Sequence, residues 1–132
     1  MEQPLILIAE DDADNREGYA EFLTYLGYSV AQAANGQDAI ESTRQLRPDV
    51  LLLDLALPVV DGWEVARVVK SDQQLRQTVI IALSACVFPG DVMRATAAGC
   101  DLFLDKPCYP QRVADEIQRM LDARKAAPSS QP

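Results

Sequence analysis

The sequence predicts an α/β protein built on an open, doubly wound sheet of five parallel strands. Five short apolar runs alternate along the 132 residues with segments of helical period. The third and fourth runs, DVLLLD and TVIIALSA, are almost wholly apolar, as expected for strands buried on both faces of a parallel sheet. Successive runs begin about 20 to 30 residues apart, the length of one strand–helix unit, and right-handed connections between such units produce this architecture.

Each apolar run is predicted to form one strand. The predicted strands are Leu5–Ala9, Tyr28–Ala33, Asp49–Leu53, Thr78–Leu83 and Asp101–Leu104. The five units do not resemble one another in sequence, so a solenoid repeat is excluded. Because the strands are parallel, their carboxyl ends share one edge of the sheet, and doubly wound folds bind their ligands beyond that edge.

The connecting segments indicate five helices with unequal strength. The first and fifth have apolar residues spaced three and four apart; Gly27 suits the position after the first helix, and Pro110 lies near the first turn of the fifth. The second and third helices rest on shorter apolar stripes around Ile40 and Val69. Residues 90–98 make the weakest case, because they are rich in alanine and carry few large apolar groups.

Composition and charge exclude several classes of protein. The net charge is −8, and lysine and arginine are scattered, with Arg124–Lys125 as the one adjacent pair, so a nucleic-acid interface is not expected. No apolar run reaches 18 residues and no basic region opens the chain, which favours a cytoplasmic protein without a membrane span. The three cysteines form no C-x-x-C pair, and the absence of histidine excludes histidine-based catalysis.

One folded domain is predicted over residues 1–123. Residues 124–132 are predicted to form a flexible tail or linker, because they end in AAPSSQP, a composition rich in small residues, serine and proline.

Chemistry-bearing residues follow four of the five predicted strands. Glu10 and Asp11 follow the first strand, Asp54 ends the third, Ser84 ends the fourth and Lys106 lies just past the fifth. All should lie at the same sheet edge, where like charges about 4 Å apart near a protein surface repel by roughly 4 kcal/mol. A hard cation would compensate the carboxylates, so the sequence predicts a pocket for Mg²⁺ or Mn²⁺.

This set of residues could accept a phosphoryl group. Asp54 could act as the nucleophile and form an aspartyl-phosphate. Lys106 and Ser84 could bind phosphoryl oxygens by charge and by hydrogen bonding, and in-line transfer mainly needs positioning and charge neutralisation.

Four motifs resemble one known family. In order they are LILIAEDD, DVLLLDLALPVVDGWE, IIALSA and LFLDKP, and together they resemble the response-regulator receiver domain of two-component signalling over roughly residues 4 to 123. The resemblance implies the flavodoxin-like (βα)₅ fold with strand order 2-1-3-4-5. It further implies a single-domain, chemotaxis-receiver-like switch and a phosphoprotein of a phosphorelay.

The resemblance also implies a role for each residue of the pocket. Asp54 would be the phosphoacceptor. Asp11, Asp54 and the backbone carbonyl of Ala56 would bind the metal directly, and Glu10 mainly through water.

Further residues would report the phosphorylation state. Ser84 takes the switch hydroxyl position, Lys106 the phosphate-pairing position and Phe103 the switch aromatic position, and a cis peptide bond would precede Pro107. Ala56 and Cys86 lie where the family tunes the phosphoryl lifetime; neither side chain can orient a water, so unusually fast self-dephosphorylation is not expected.

The implied partners are proteins. A histidine kinase or phosphotransfer protein would donate the phosphoryl group, and a downstream protein would bind the face formed by helix 4, strand 5 and helix 5. A phosphorylation-dependent homodimer is left open, whereas nucleic acid and membrane are not expected partners. As a switch, the protein would be no enzyme beyond its own phosphotransfer and slow autodephosphorylation.

Three other functions compete with this interpretation. A pseudo-receiver would keep the fold as an interaction module without phosphorylation, against which the intact acidic and basic residues argue. A Mg²⁺-dependent aspartyl-phosphate phosphohydrolase would usually carry a second acid where Ala56 stands and would need substrate-covering insertions. A flavodoxin-like cofactor carrier would share the fold, but the acids that follow the first strand of this chain would repel the phosphate of a flavin.

Simpler structural roles compete for single residues. Asp12 or Asp14 is expected to cap the first helix, and Asp61 to turn the chain into the third. Phe103 could serve core packing instead of switching. Trp63 is expected to line the core or a groove and not to anchor a partner.

Overall fold

The computed structural model describes residues 3–85 and 89–126 and confirms the predicted sheet, with five parallel strands in the order β2-β1-β3-β4-β5. The strands are β1 (Leu5–Ala9), β2 (Ser29–Ala33), β3 (Val50–Asp54), β4 (Val79–Ser84) and β5 (Leu102–Asp105). The helices are α1 (Ala13–Tyr25), α2 (Gly36–Leu46), α3 (Gly62–Ser71), α4 (Pro89–Ala98) and α5 (Pro110–Ala126). Each strand bound lies within one residue of its prediction.

The sheet carries a hydrophobic core on each face. Successive residues of a strand point to opposite faces, so Leu51 and Leu53 of β3 join the core beneath α2 and α3, whereas Val50 and Leu52 join the core beneath α1 and α5. All five residues of β3 are buried. The two covered faces explain why the central strands are uniformly apolar.

Helix ends follow the local signals in the sequence. The side chain of Asp12 caps α1 by accepting a hydrogen bond from the Asn15 amide at 3.0 Å, and Asp61 caps α3 by accepting one from the Glu64 amide at 3.0 Å. Gly27, after α1, has the φ of +103° that suits a helix C-terminus. The predicted capping and turn roles are therefore confirmed.

Helix α4 is attached lightly to the sheet, which explains its weak sequence pattern. It forms over Pro89–Ala98, and Ala95 is its buried residue within the described part of the chain. The Arg94 guanidinium lies 4.3 Å from the ring centroid of Trp63 in α3, and Trp63 packs against the core. Trp63 thus packs against the core, one of the two structural roles expected from the sequence.

Two segments bear on predictions made from the sequence. Helix α5 continues to Ala126, so residues 124–126 of the predicted tail are helical, while 127–132 lie outside the described residues. Residue Cys86 also lies outside them, so its predicted influence on phosphoryl lifetime stays a prediction.

Among the described helices, none combines the length and hydrophobicity that a membrane crossing requires.

Candidate functional site

Three carboxylates converge at the carboxyl edge of the sheet. Glu10 directly follows β1 and Asp54 is the last residue of β3; these strands are hydrogen-bonded neighbours, with Ala9 opposite Leu53. Glu10 and Asp54 are buried, and Asp11 is exposed at the mouth of the site. One carboxylate oxygen from each of Glu10, Asp11 and Asp54 lies within 4.8 Å of the others. The sequence prediction of one acidic pocket therefore has the required geometry.

Lys106 reaches into this pocket from the end of β5. Its Nζ donates to Glu10 Oε1 at 2.8 Å and to Asp54 Oδ2 at 3.0 Å, and 19% of its side chain is exposed. Its backbone N–H donates to the Ser84 carbonyl at 2.8 Å, which ties it to the end of β4. The Lys106–Pro107 peptide bond is cis, as the family resemblance implies. One ammonium group thus bridges two buried carboxylates.

Glu10 is held at both carboxylate oxygens. Oε1 binds Lys106, and Oε2 accepts the Asp12 amide at 3.1 Å. Burial raises the pKa of Glu10, and the bonds to Lys106 and to the Asp12 amide offset part of that increase. Both oxygens are in use, which accords with an indirect role for Glu10 in binding a cation.

The charge of Lys106 is stabilised by the same contacts. Burial acts to lower the pKa of Lys106, but the hydrogen bonds to the Glu10 and Asp54 carboxylates outweigh it and hold the pKa above its usual value. Lys106 is therefore protonated at neutral pH and stands beside the Asp54 carboxylate as a permanent positive charge.

Asp54 is positioned by the backbone around it. Its Oδ1 accepts the Ala56 amide at 3.0 Å, while Oδ2 binds Lys106. Gly62, the first residue of α3, approaches so closely that a Cβ there would lie 2.6 Å from the Asp54 carbonyl oxygen. Helix α3 therefore begins directly against the predicted acceptor, and a larger residue at position 62 would displace it.

The donor set suits a hard divalent cation. Carboxylate oxygens are the ligands that Mg²⁺ prefers, and Asp11 and Asp54 leave room for additional waters because Asp11 faces solvent. Ala56, two residues beyond Asp54, is also exposed. Its carbonyl as a metal ligand stays a prediction.

Ser84 and Phe103 lie beside the acidic pocket. Ser84 is the half-buried last residue of β4 and pairs with Asp105 of β5. Phe103 is half-buried, pairs with Ala82 and packs against the core beneath α2 and α3. The structure thus places Ser84 next to Lys106, whereas the switching roles of Ser84 and Phe103 stay predictions.

One supporting residue is not evident from the sequence. Arg16, in the first turn of α1, donates from Nη1 to the Glu10 carbonyl at 2.8 Å and from Nε to Gln32 Oε1 at 3.2 Å. It fixes the backbone between the two acids and ties it to β2. A single cation one helical turn after an acidic run is the signal that could have indicated it.

The chain matches the family model of the response regulator receiver domain over residues 6–118. It belongs to this family. Receiver domains are signalling switches of two-component systems, and the acidic pocket of Glu10, Asp11 and Asp54 is consistent with the Mg²⁺ site of such domains.

Similar proteins agree with this assignment. The polar-differentiation response regulator DivK of Brucella anthropi is 33% identical over 116 residues, which cover 88% of this chain and 94% of that protein. The chemotaxis response regulator CheY4 of Vibrio cholerae has a structure that matches with a TM-score of 0.84 at 28% identity, covering 89% of this receiver domain and 98% of that chain.

A third relative was solved with a metal ion. The receiver domain of a sensor histidine kinase of Pseudomonas aeruginosa PAO1 is 32% identical, with a TM-score of 0.83 and coverage of 91% of this chain and 98% of that one. Magnesium is coordinated in the active-site cleft of that protein.

Proposed function

We propose that this receiver domain is a phosphorylation-dependent switch that accepts a phosphoryl group on Asp54 from a histidine kinase or phosphotransfer protein. The observation that carries the proposal is the Lys106 ammonium, which bridges Glu10 and Asp54 at 2.8 and 3.0 Å inside a pocket of three carboxylates. An acceptor carboxylate, a fixed positive charge and oxygen ligands for a cation are then within reach of one another.

The metal-binding residues in this proposal are those implied by the family. Asp11, Asp54 and the Ala56 carbonyl would hold Mg²⁺ or Mn²⁺, with Glu10 acting mainly through water. The bound cation would neutralise negative charge on the phosphoryl oxygens.

Transfer proceeds by attack of an Asp54 carboxylate oxygen on phosphorus. A phosphorus–oxygen bond to Asp54 forms as the bond from phosphorus to the donor nitrogen breaks, and the electron pair leaves with the donor. Lys106 already contacts Asp54 in the unphosphorylated protein. It therefore exchanges a carboxylate oxygen for a phosphoryl oxygen and needs no long inward movement, while the Ser84 hydroxyl binds a second phosphoryl oxygen.

The output in this proposal is recognition of a downstream protein. Movement of Ser84 would make space for Phe103 and change the face formed by α4, β5 and α5, a local charge event that biases a two-state element. The protein would act in the cytoplasm, and its phosphorylated form would decay slowly because Ala56 offers no group to orient a water. A phosphorylation-dependent homodimer would be one form of output.

The first test is the intact mass after incubation with acetyl phosphate and Mg²⁺. A gain of about 80 Da that requires Mg²⁺ and is lost in Asp54→Asn supports the proposal. If neither acetyl phosphate nor a phosphorylated kinase produces the gain and Mg²⁺ does not bind, the chain is a pseudo-receiver. Multiple turnover of a phosphomonoester would instead indicate a phosphohydrolase.

A further inference from the structure

Helix α2 begins in direct contact with the loop that follows Asp54. The Gly36 amide, at the first residue of α2, donates to the Pro58 carbonyl at 3.1 Å. A Cβ on Gly36 would lie 1.7 Å from the Val60 carbonyl oxygen and 2.5 Å from its carbonyl carbon. No side chain can occupy that space, so only glycine permits this approach unless the loop moves.

The loop itself has a strained turn at this contact. Val59 has a φ of +72°, and the Val60 amide donates to the Pro58 carbonyl at 2.9 Å, which together describe a tight γ-turn. A β-branched residue is unfavourable at positive φ and persists there only when its surroundings impose the conformation. Val59 is 80% exposed, so the constraint comes from backbone contacts. The Pro58 carbonyl accepts hydrogen bonds from the amides of both Val60 and Gly36, so it connects the turn to the start of α2.

The same loop is anchored at its other end by the sheet. The Leu55 amide donates to the Leu83 carbonyl at 3.0 Å, and the Gly62 amide donates to the Leu55 carbonyl at 3.1 Å. Ala56 therefore lies between two fixed points, one at Leu55 and one at Pro58. Displacing either point changes where the Ala56 carbonyl lies relative to Asp54.

We propose that Gly36 is a positioning residue for metal binding, which acts through the Pro58–Val60 backbone to place the Ala56 carbonyl. This inference rests on the proposed function, because it assigns Ala56 as a metal ligand. The second strand–helix unit supplies none of the predicted site residues, so its influence on the site is carried by this backbone contact. If Gly36 merely allowed α2 to pack, a larger residue would lower stability without changing the metal affinity of the folded protein.

The test compares Gly36→Ala with Gly18→Ala, a matched control in α1 where an added Cβ meets nothing within 4 Å. Mg²⁺ affinity is measured by calorimetric titration of folded protein. We expect Kd to rise at least fivefold in Gly36→Ala and to stay within twofold of wild type in Gly18→Ala. Saturating Mg²⁺ should restore the acetyl phosphate reaction, because the acceptor is intact.

A metal-free readout follows the loop itself. The amide resonances of Ala56 and Val60 should shift in Gly36→Ala without Mg²⁺ and remain in place in Gly18→Ala. A folded Gly36→Ala protein with wild-type Kd would overturn the inference while leaving the proposed function standing. A wild-type protein that binds no Mg²⁺ would overturn both.

A second pair of variants decides the matter if Gly36→Ala does not fold. Asn35 caps α2 by accepting the Asp38 amide at 2.8 Å. Asn35→Ala should fray the first turn and loosen Gly36 without adding atoms, so Kd should rise at least twofold, whereas Asn35→Ser keeps a capping oxygen and should retain the wild-type Kd. Equal Kd values in the two folded variants would overturn the inference.

Discussion

At the scale of single residues, the site is organised by one lysine between two buried acids. The side chains of Glu10 and Asp54 are 2% and 5% exposed, so each charge depends on Lys106 and on backbone amides for compensation. Removing one partner of such a group leaves uncompensated charge in a poorly solvated place, which costs more than the ion pair contributes when it is intact.

Lys106→Met should therefore destabilise the metal-free protein by about 2 to 4 kcal/mol, a value reduced for the partial exposure of the lysine. Saturating Mg²⁺ should recover part of this loss, because the cation neutralises the same carboxylates. Urea unfolding with chelator and with Mg²⁺ measures both effects. Lys106→Arg, which keeps the charge, is the control, and an equal loss in the two conditions would contradict the explanation.

Cys100 gives a pH-dependent prediction away from the site. Burial, followed by the charge of Asp101, raises the pKa of the Cys100 thiol to about 11. With the pKa of the free thiol near 9.0, the thiolate fraction at pH 8 is about 100-fold lower in the folded than in the unfolded protein. Iodoacetamide should accordingly modify Cys100 far more slowly in the folded chain, as followed by peptide mass spectrometry.

The sign of the stability effect follows from the same shift. The pKa of the Cys100 thiol is higher in the folded than in the unfolded protein. The contribution of this thiol to the free energy of unfolding is therefore complete below pH 9 and is lost as the pH rises through about 11. Wild type should thus lose stability relative to Cys100→Ala within that window. If the difference in unfolding free energy between the two proteins stayed constant from pH 8 to about 11, the predicted shift would be refuted.

At the scale of elements, long cationic side chains connect α3 to α4 and to the start of β5. Lys70 Nζ donates to the Thr78 carbonyl at 2.7 Å and pairs with Asp101 at 2.9 Å, just before β5. Arg94 of α4 stacks on Trp63 of α3. Since α4 buries little of its own surface, the Arg94–Trp63 contact helps to hold it against α3, and α4 lies on the face proposed to change on phosphorylation.

Arg94→Ala should loosen α4 without unfolding the domain. An exposed cation–π contact contributes about 0.5 to 1 kcal/mol, so the global loss should be of that size while amide exchange in α4 becomes faster. Trp63 is the single tryptophan of the chain, and its emission should shift as the guanidinium leaves. Arg94→Lys should change each quantity less, and unaltered exchange in Arg94→Ala would show that α4 is held by other contacts.

At the scale of the whole molecule, the carboxyl and amino ends of the strands carry different kinds of contacts. The acids converge at the carboxyl edge, whereas the amino edge is closed by polar contacts around Asp49. Its Oδ2 accepts the Leu5 amide at 2.8 Å, and its Oδ1 pairs with Arg124 of α5 at 3.1 Å. These contacts join the end of α5 to the start of β3, at the edge opposite the one where charge changes are proposed.

Much of the fold was predictable because its signals are local. The apolar runs of β3 and β4, the capping by Asp12 and Asp61 and the glycine after α1 each depend on a few neighbouring residues. Helix α4 had the weakest signal in the sequence, although its predicted position agrees with Pro89–Ala98, because it buries little apolar surface and contacts Trp63, which is distant in sequence.

The sequence alone determined the fold class and the residue types at the carboxyl edge, because periodicity and strand ends are properties of short segments. The tertiary structure decided which atoms meet. That Lys106 bridges Glu10 and Asp54, and that Gly36 touches the loop after Asp54, depend on the strand order and on helix packing. These contacts join residues far apart along the chain, and no spacing within the sequence encodes the distances between them.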